Sequence, residues 1–167
     1  MRSRDALPEF PARFRASTAR ATQWYARLSG SFALHGPVPP SLAPTVAFLL
    51  DDGAIAICRG EPEAALALAG SVPVTPVYAL EGGGPPAVPT GQVFIRFAES
   101  VSIAERRQAV ARAGFTVVET LPYAPHAAWV RATDGGIAAA LAAIPALEGL
   151  PDIVNVEPQL LLKRAPR

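Results

Sequence analysis

The residues of this chain with the chemistry to catalyse a reaction or hold a metal are few: His35 and His126, Cys58, the adjacent Asp51 and Asp52, and scattered hydroxyls. Both histidines sit in proline-flanked loops. Neither has a carboxylate at a spacing that would orient an imidazole, so each reads as a loop side chain rather than a base or ligand. Cys58 ends an apolar run and has one cationic neighbour, Arg59. A reactive thiolate needs accessible, electropositive surroundings, so Cys58 reads as a small buried hydrophobe. A lone cysteine also excludes an intramolecular disulfide and a cysteine-based zinc finger. Asp51-Asp52 has the letters of paired carboxylates, but Gly53 follows and apolar runs flank the triplet, which is the pattern of a hairpin turn. There is no phosphate loop, dinucleotide fingerprint, His-Glu-x-x-His pair or Gly-x-Ser-x-Gly elbow. The expectation is a protein that is not an enzyme and takes no metal or cofactor.

Composition narrows the class. Half of the 167 residues are hydrophobic and 17% are charged, and the length suits one compact domain, or one domain with a small appendage. The net charge of +1 hides an asymmetry: residues 1–30 carry six Arg against Asp5 and Glu9, and the rest of the chain is mildly acidic. Every cation except Lys163 is Arg; with abundant Ala and Pro, this looks like a GC-rich bacterial genome and carries no mechanism. No run reaches the roughly 18 apolar residues of a membrane span. Pro8, Glu9, Pro11, Arg13 and Arg15 interrupt any signal-peptide core. The expected location is cytoplasmic.

Four segments follow from the punctuation. Residues 1–44 form a basic, Arg- and Pro-rich arm. Within it, residues 11–28 place Phe14, Thr18, Ala21, Tyr25 and Leu28 on one stripe at helical spacing, beside Arg13, Arg20 and Arg27. The six Arg are too diffuse to argue for membrane or nucleic-acid contact, so the arm reads as solvated. Residues 45–80 form a small module: a strand to Leu50, a turn at Asp51-Asp52-Gly53, a strand to Cys58, a helix from Pro62 to Ala69 and a strand from Val74 to Leu80. Residues 81–90, with Gly82-Gly83-Gly84-Pro85-Pro86, form a linker.

Residues 91–167 carry the clearest pattern. Gln92 to Ala98 alternates, with Val93, Ile95 and Phe97 inward. Ser102 to Ala113 is a helix opened by a Ser102/Glu105 capping box, with Ile103, Val110 and Ala111 inward. Phe115 to Leu121 is a strand, Pro122 to Pro125 a turn and Ala127 to Ala132 a strand. Asp134 caps a second helix with Ile137, Leu141 and Ile144 inward, which Pro145 ends or kinks. Ile153 to Glu157 is the last strand, and an apolar-basic tail follows Pro158. The order β-α-β-β-α-β is that of an α+β, ferredoxin-like domain: an antiparallel sheet with both helices on one face. The smaller β-β-α-β module precedes it. Many functions use this arrangement, so it decides none.

Several stretches carry a resemblance. They are Gly91-Gln92-Val93-Phe94-Ile95-Arg96-Phe97, the helix Ser102 to Ala113, Val117-Val118-Glu119-Thr120-Leu121-Pro122-Tyr123-Ala124, and Ile153-Val154-Asn155-Val156-Glu157-Pro158-Gln159. On these, residues 91–163 resemble the prodomain of subtilisin-like serine proteases, the inhibitor-and-chaperone module that precedes the catalytic domain. Glu148-Gly149-Leu150-Pro151 departs from that pattern by lengthening the loop before the last strand. The chain holds no subtilase Asp, His or Ser motif. The resemblance therefore implies a free-standing partner of a protease, or a prodomain segment of a longer gene product.

The resemblance also implies a mechanism. Such prodomains dock a sheet face on two surface helices of the protease, in cis or in trans, and lay their C-terminal tail in the substrate cleft. Glu157 and Gln159, at and just after the end of the last strand, would meet the positive ends of enzyme helices. Leu160, Leu161, Leu162, Lys163 and Arg164 would pair with cleft strands and fill pockets. The competing class is a ferredoxin-like sheet that binds RNA or a small ligand. Phe94 and Trp129 are the aromatics available for it, on a body that is otherwise acidic.

Overall fold

The structure, a computed structural model, describes residues 7–163. In chain order its strands and α-helices are β1 (Arg13–Arg15), β2 (Trp24–Leu34), β3 (Val46–Leu50), β4 (Ile55–Arg59), α1 (Pro62–Ala69), β5 (Val74–Leu80), β6 (Ala87–Phe97), α2 (Ile103–Arg112), β7 (Phe115–Leu121), β8 (Ala124–Ala132), α3 (Ile137–Ala142), α4 (Ile144–Glu148) and β9 (Ile153–Leu162). Among the described residues the fold is mixed α+β, with a mostly antiparallel sheet and four α-helices. Two compact units divide it. One is built on Tyr25–Val88 and includes Leu160 to Lys163; the other is built on Glu9–Trp24 and Pro89–Gln159.

In the first unit the strands run β3-β4-β2-β5, all antiparallel. Strands β4 and β5 are buried on both faces over most of their length, whereas β2 is buried only at its end, Phe32 to Leu34. Phe32, Leu34, Ala56 and Cys58 face one cluster with Ala65 and Ala69 of α1. Ala33, Ile55, Ile57 and Val77 face a second. The Asp51-Asp52-Gly53 turn joins β3 to β4, with Leu50 opposite Ile55. Asp51, Asp52 and Gly53 all take positive φ, near 52°, 51° and 92°. Asp and Gly tolerate that region better than bulky residues do, so Asp51-Asp52 serves the turn.

In the second unit β6 pairs with β8 and β8 with β7, both antiparallel, and β9 lies on the other side of β6. The order across the strands is β9-β6-β8-β7. Val93, Ile95 and Phe97 are fully buried, whereas Phe94 is partly exposed and Arg96 exposed. Helix α2 packs on β7 and β8, and α3 on β8. The capping box forms: Ser102 Oγ accepts from the Glu105 amide and Glu105 Oε2 from the Ser102 amide, each at 3.3 Å.

Several expectations are corrected. The helix over residues 11–28 is absent; Arg13–Arg15 and Trp24–Leu34 are strands joined by a turned segment. Ser17 and Thr18 explain part of this, because their hydroxyls bond backbone groups and so compete with a helix: Ser17 Oγ accepts from the Arg20 amide at 3.0 Å. The 81–90 linker is shorter, since Ala87 to Thr90 already belong to β6. Ala111 is exposed rather than inward. Asp134 does not cap α3. Its Oδ1 takes the Gly136 amide at 2.8 Å, and Gly136 is the capping residue. Pro145 opens a separate helix, α4, where its missing N–H costs nothing. The Pro122-to-Pro125 turn shrinks to Pro122-Tyr123. The last strand runs on to Leu162, past the expected end at Glu157.

Candidate functional site

Cys58 and His35 are packed or hydrogen-bonded within the first unit. Cys58 is fully buried in the α1-side cluster, and burial pushes its thiol pKa up, against thiolate formation. His35 Nε2 lies 2.7 Å from Thr75 Oγ1, and its backbone N–H donates to the Pro73 carbonyl at 3.0 Å. Burial holds this imidazole below its ordinary value near 6.5. The ring stays neutral in the fold at a pH where the unfolded ring would take a proton. Stability of this unit is therefore expected to be full above about pH 6.5 and to fall as pH drops below it, at up to about 1.4 kcal/mol per pH unit. The check is the urea midpoint of the wild type against His35→Asn across that range. Parallel profiles would remove His35 as the cause. His126 is partly exposed at the start of β8. No group of three or more His, Cys, Asp or Glu is arranged for a metal ion among the described residues. No helix among them is long and apolar enough to cross a membrane.

The outer face of the second unit's strands presents a different surface. Alternation along β6 turns Gln92, Phe94 and Arg96 away from the buried row. Phe94 stands opposite Trp129, and Gln92 opposite Arg131. The Phe94 and Trp129 rings meet edge-on, centroids 5.4 Å apart at 63°. Glu119 of β7 stands opposite Trp129. Arg96, Arg131 and Glu119 are exposed. The result is an aromatic centre with a charged rim of both signs, the make-up of a protein-docking patch.

Strand β9 carries the other expected site residues. Glu157 is half-buried. Gln159 is engaged: its Oε1 accepts from Thr90 Oγ1 at 2.7 Å. Leu160, Leu161 and Leu162 belong to the strand rather than to a loose tail. Leu161 packs against the cluster holding Ile57, Val77 and Val88, and Leu162 is exposed. The Lys163 ammonium lies 4.8 Å from the Phe48 ring centroid, a cation–π contact. Arg164 lies outside the described residues.

Sequence reasoning missed a lock on the edge of β9. The Thr18 amide donates to the Val156 carbonyl at 3.1 Å, and Thr18 Oγ1 accepts from the Val156 amide at 3.0 Å. The same hydroxyl donates to Glu148 Oε2 at 3.0 Å, which Arg15 also meets at 3.1 Å. The Ala19 amide donates to Asn155 Oδ1 at 3.3 Å. Arg13 and Arg15 stack on Trp24, 4.2 and 5.2 Å from its centroid. The arm's Arg13 and Arg15 are therefore spent within this unit. The signal in sequence was the Ser17-Thr18 pair. Thr18→Val keeps the shape but strands the Val156 N–H, and is expected to cost about 1–3 kcal/mol in denaturant unfolding. An unchanged midpoint would show that the lock contributes nothing.

Comparison of the chain with protein-family models, curated proteins and solved structures finds no match in any of the three.

Proposed function

We propose that the second unit is a ferredoxin-like, non-catalytic docking module that binds and inhibits a subtilisin-like serine protease, in cis or in trans. The observation that supports this best is the strand order β9-β6-β8-β7, with helices in both crossovers and the Phe94–Trp129 pair left on the outer face. An aromatic centre with a mixed rim suits a folded partner surface, where buried anchors supply most of the affinity. In this reading Glu157, half-buried on β9, is the carboxylate that meets a helix N-terminus of the enzyme.

The tail has a smaller part in this reading than the resemblance implies. Leu161 is already half-buried against a core cluster, and Gln159 has a partner. Entry of Leu160 to Lys163 into a cleft requires Leu161 to leave its cluster, which offsets part of what the pockets return. The face around Phe94 and Trp129 therefore carries most of the affinity.

One observation favours a second reading. Exposed Arg96 and Arg131 flank two aromatics, as on a surface that stacks single-stranded RNA. The edge-on pairing of the rings argues against it, because a stacking platform needs open ring faces. Size-exclusion runs of the full chain with an inactivated subtilisin-like protease, and with labelled single-stranded RNA, separate the readings. Co-elution with the protease alone is expected. Co-elution with RNA alone would overturn the proposal.

A further inference from the structure

Helix α2 presents a second surface. Arg106, Ala109, Arg112 and Ala113 recur at three- and four-residue steps, so they share one stripe. Ala146 of α4 and the turn Leu150-Pro151 stand across from it. The small side chains leave a cleft of about 410 Å³ between them. That is enough for one large apolar side chain and the backbone beside it.

The charges around this cleft are unbalanced. Arg106 Nη2 donates to Asp152 Oδ2 at 2.6 Å, while its Nε is buried without an acceptor. Arg107 and Arg112 have no ion partner among the described residues. The nearby acids are already engaged, and none of them meets Arg112. Glu105 closes the capping box, Glu148 holds Arg15 and Thr18, and Asp152 holds Arg106. That leaves the Arg112 guanidinium at the cleft without a counter-charge, and an incoming carboxylate would supply one.

We propose that this cleft docks a segment of a partner protein in which one large apolar side chain is flanked by acidic residues. The apolar anchor lies against Ala109, Ala113, Ala146 and Leu150. The flanking carboxylates meet the Arg112 guanidinium and the exposed part of the Arg106 guanidinium. The proposal does not depend on the sheet-face docking above, because it uses none of those residues.

The test is fluorescence anisotropy of the full chain with a labelled Glu-Glu-Phe-Glu-Glu peptide at low salt. Replacing the peptide's Phe with Ser is expected to weaken binding about tenfold or more, as loss of a buried aromatic should. Arg112→Glu, an exposed change that leaves the circular dichroism intact, is expected to weaken it about fivefold. Ala109→Trp, which fills the cleft, is expected to abolish it. Lys-Lys-Phe-Lys-Lys is expected not to bind. Equal anisotropy with the Phe and Ser peptides, unchanged affinity in Arg112→Glu, or no binding of the acidic peptide would each overturn the proposal.

Discussion

Phe97→Ala is expected to lower the stability of the second unit by about 3–5 kcal/mol, the cost of deleting a buried aromatic and leaving its cavity. Phe97 is fully buried at the end of the inward row Val93, Ile95 and Phe97. The α2 residues Ile103 and Val110 are buried as well, so no surface side chain can fill the gap. Trp24 and Trp129 both lie in this unit, and their fluorescence during urea unfolding reads it. Val118→Ala is the control. Val118 is 45% exposed on β7 of the same unit, and its loss should stay within about 0.5 kcal/mol. Equal effects of the two changes would mean that the inward row does not hold the unit together.

Trp129→Ala is expected to raise the inhibition constant against a subtilisin-like protease by about thirtyfold to a thousandfold, the range for a central aromatic anchor. Trp129 is only partly buried and rests edge-on against Phe94, so its removal spares the core row. Arg131→Ala, at the rim of the same face, should change affinity by no more than about fivefold. Inhibition that tolerates Trp129→Ala but not Arg131→Ala would move the docking centre away from the aromatic pair.

The sequence made legible what local spacing encodes. The hairpin at Asp51-Asp52-Gly53, helix α1, strands β5 and β7 and the Ser102/Glu105 box each carry their own signal in a turn residue, a cap or an alternation. The misreadings share a different cause. Residues 24–34 form a strand because β4 and β5 pair with it, and no helical stripe within the segment reports those partners. Leu160 to Leu162 read as a tail because the cluster that receives Leu161 is built from residues some 70 to 130 positions earlier. Thr90 and Gln159 meet across 69 positions, beyond any local pattern. For the candidate face, alternation places Phe94 outward. Only the register of β6 on β8 brings Trp129 opposite it.

The central claim is most directly tested by peptide-substrate cleavage by a subtilisin-like protease, followed as the intact chain is titrated in. The account predicts saturable loss of activity at about one chain per enzyme, relieved by excess substrate and weakened by Trp129→Ala. Unchanged cleavage at every ratio, with no complex formed, would contradict it.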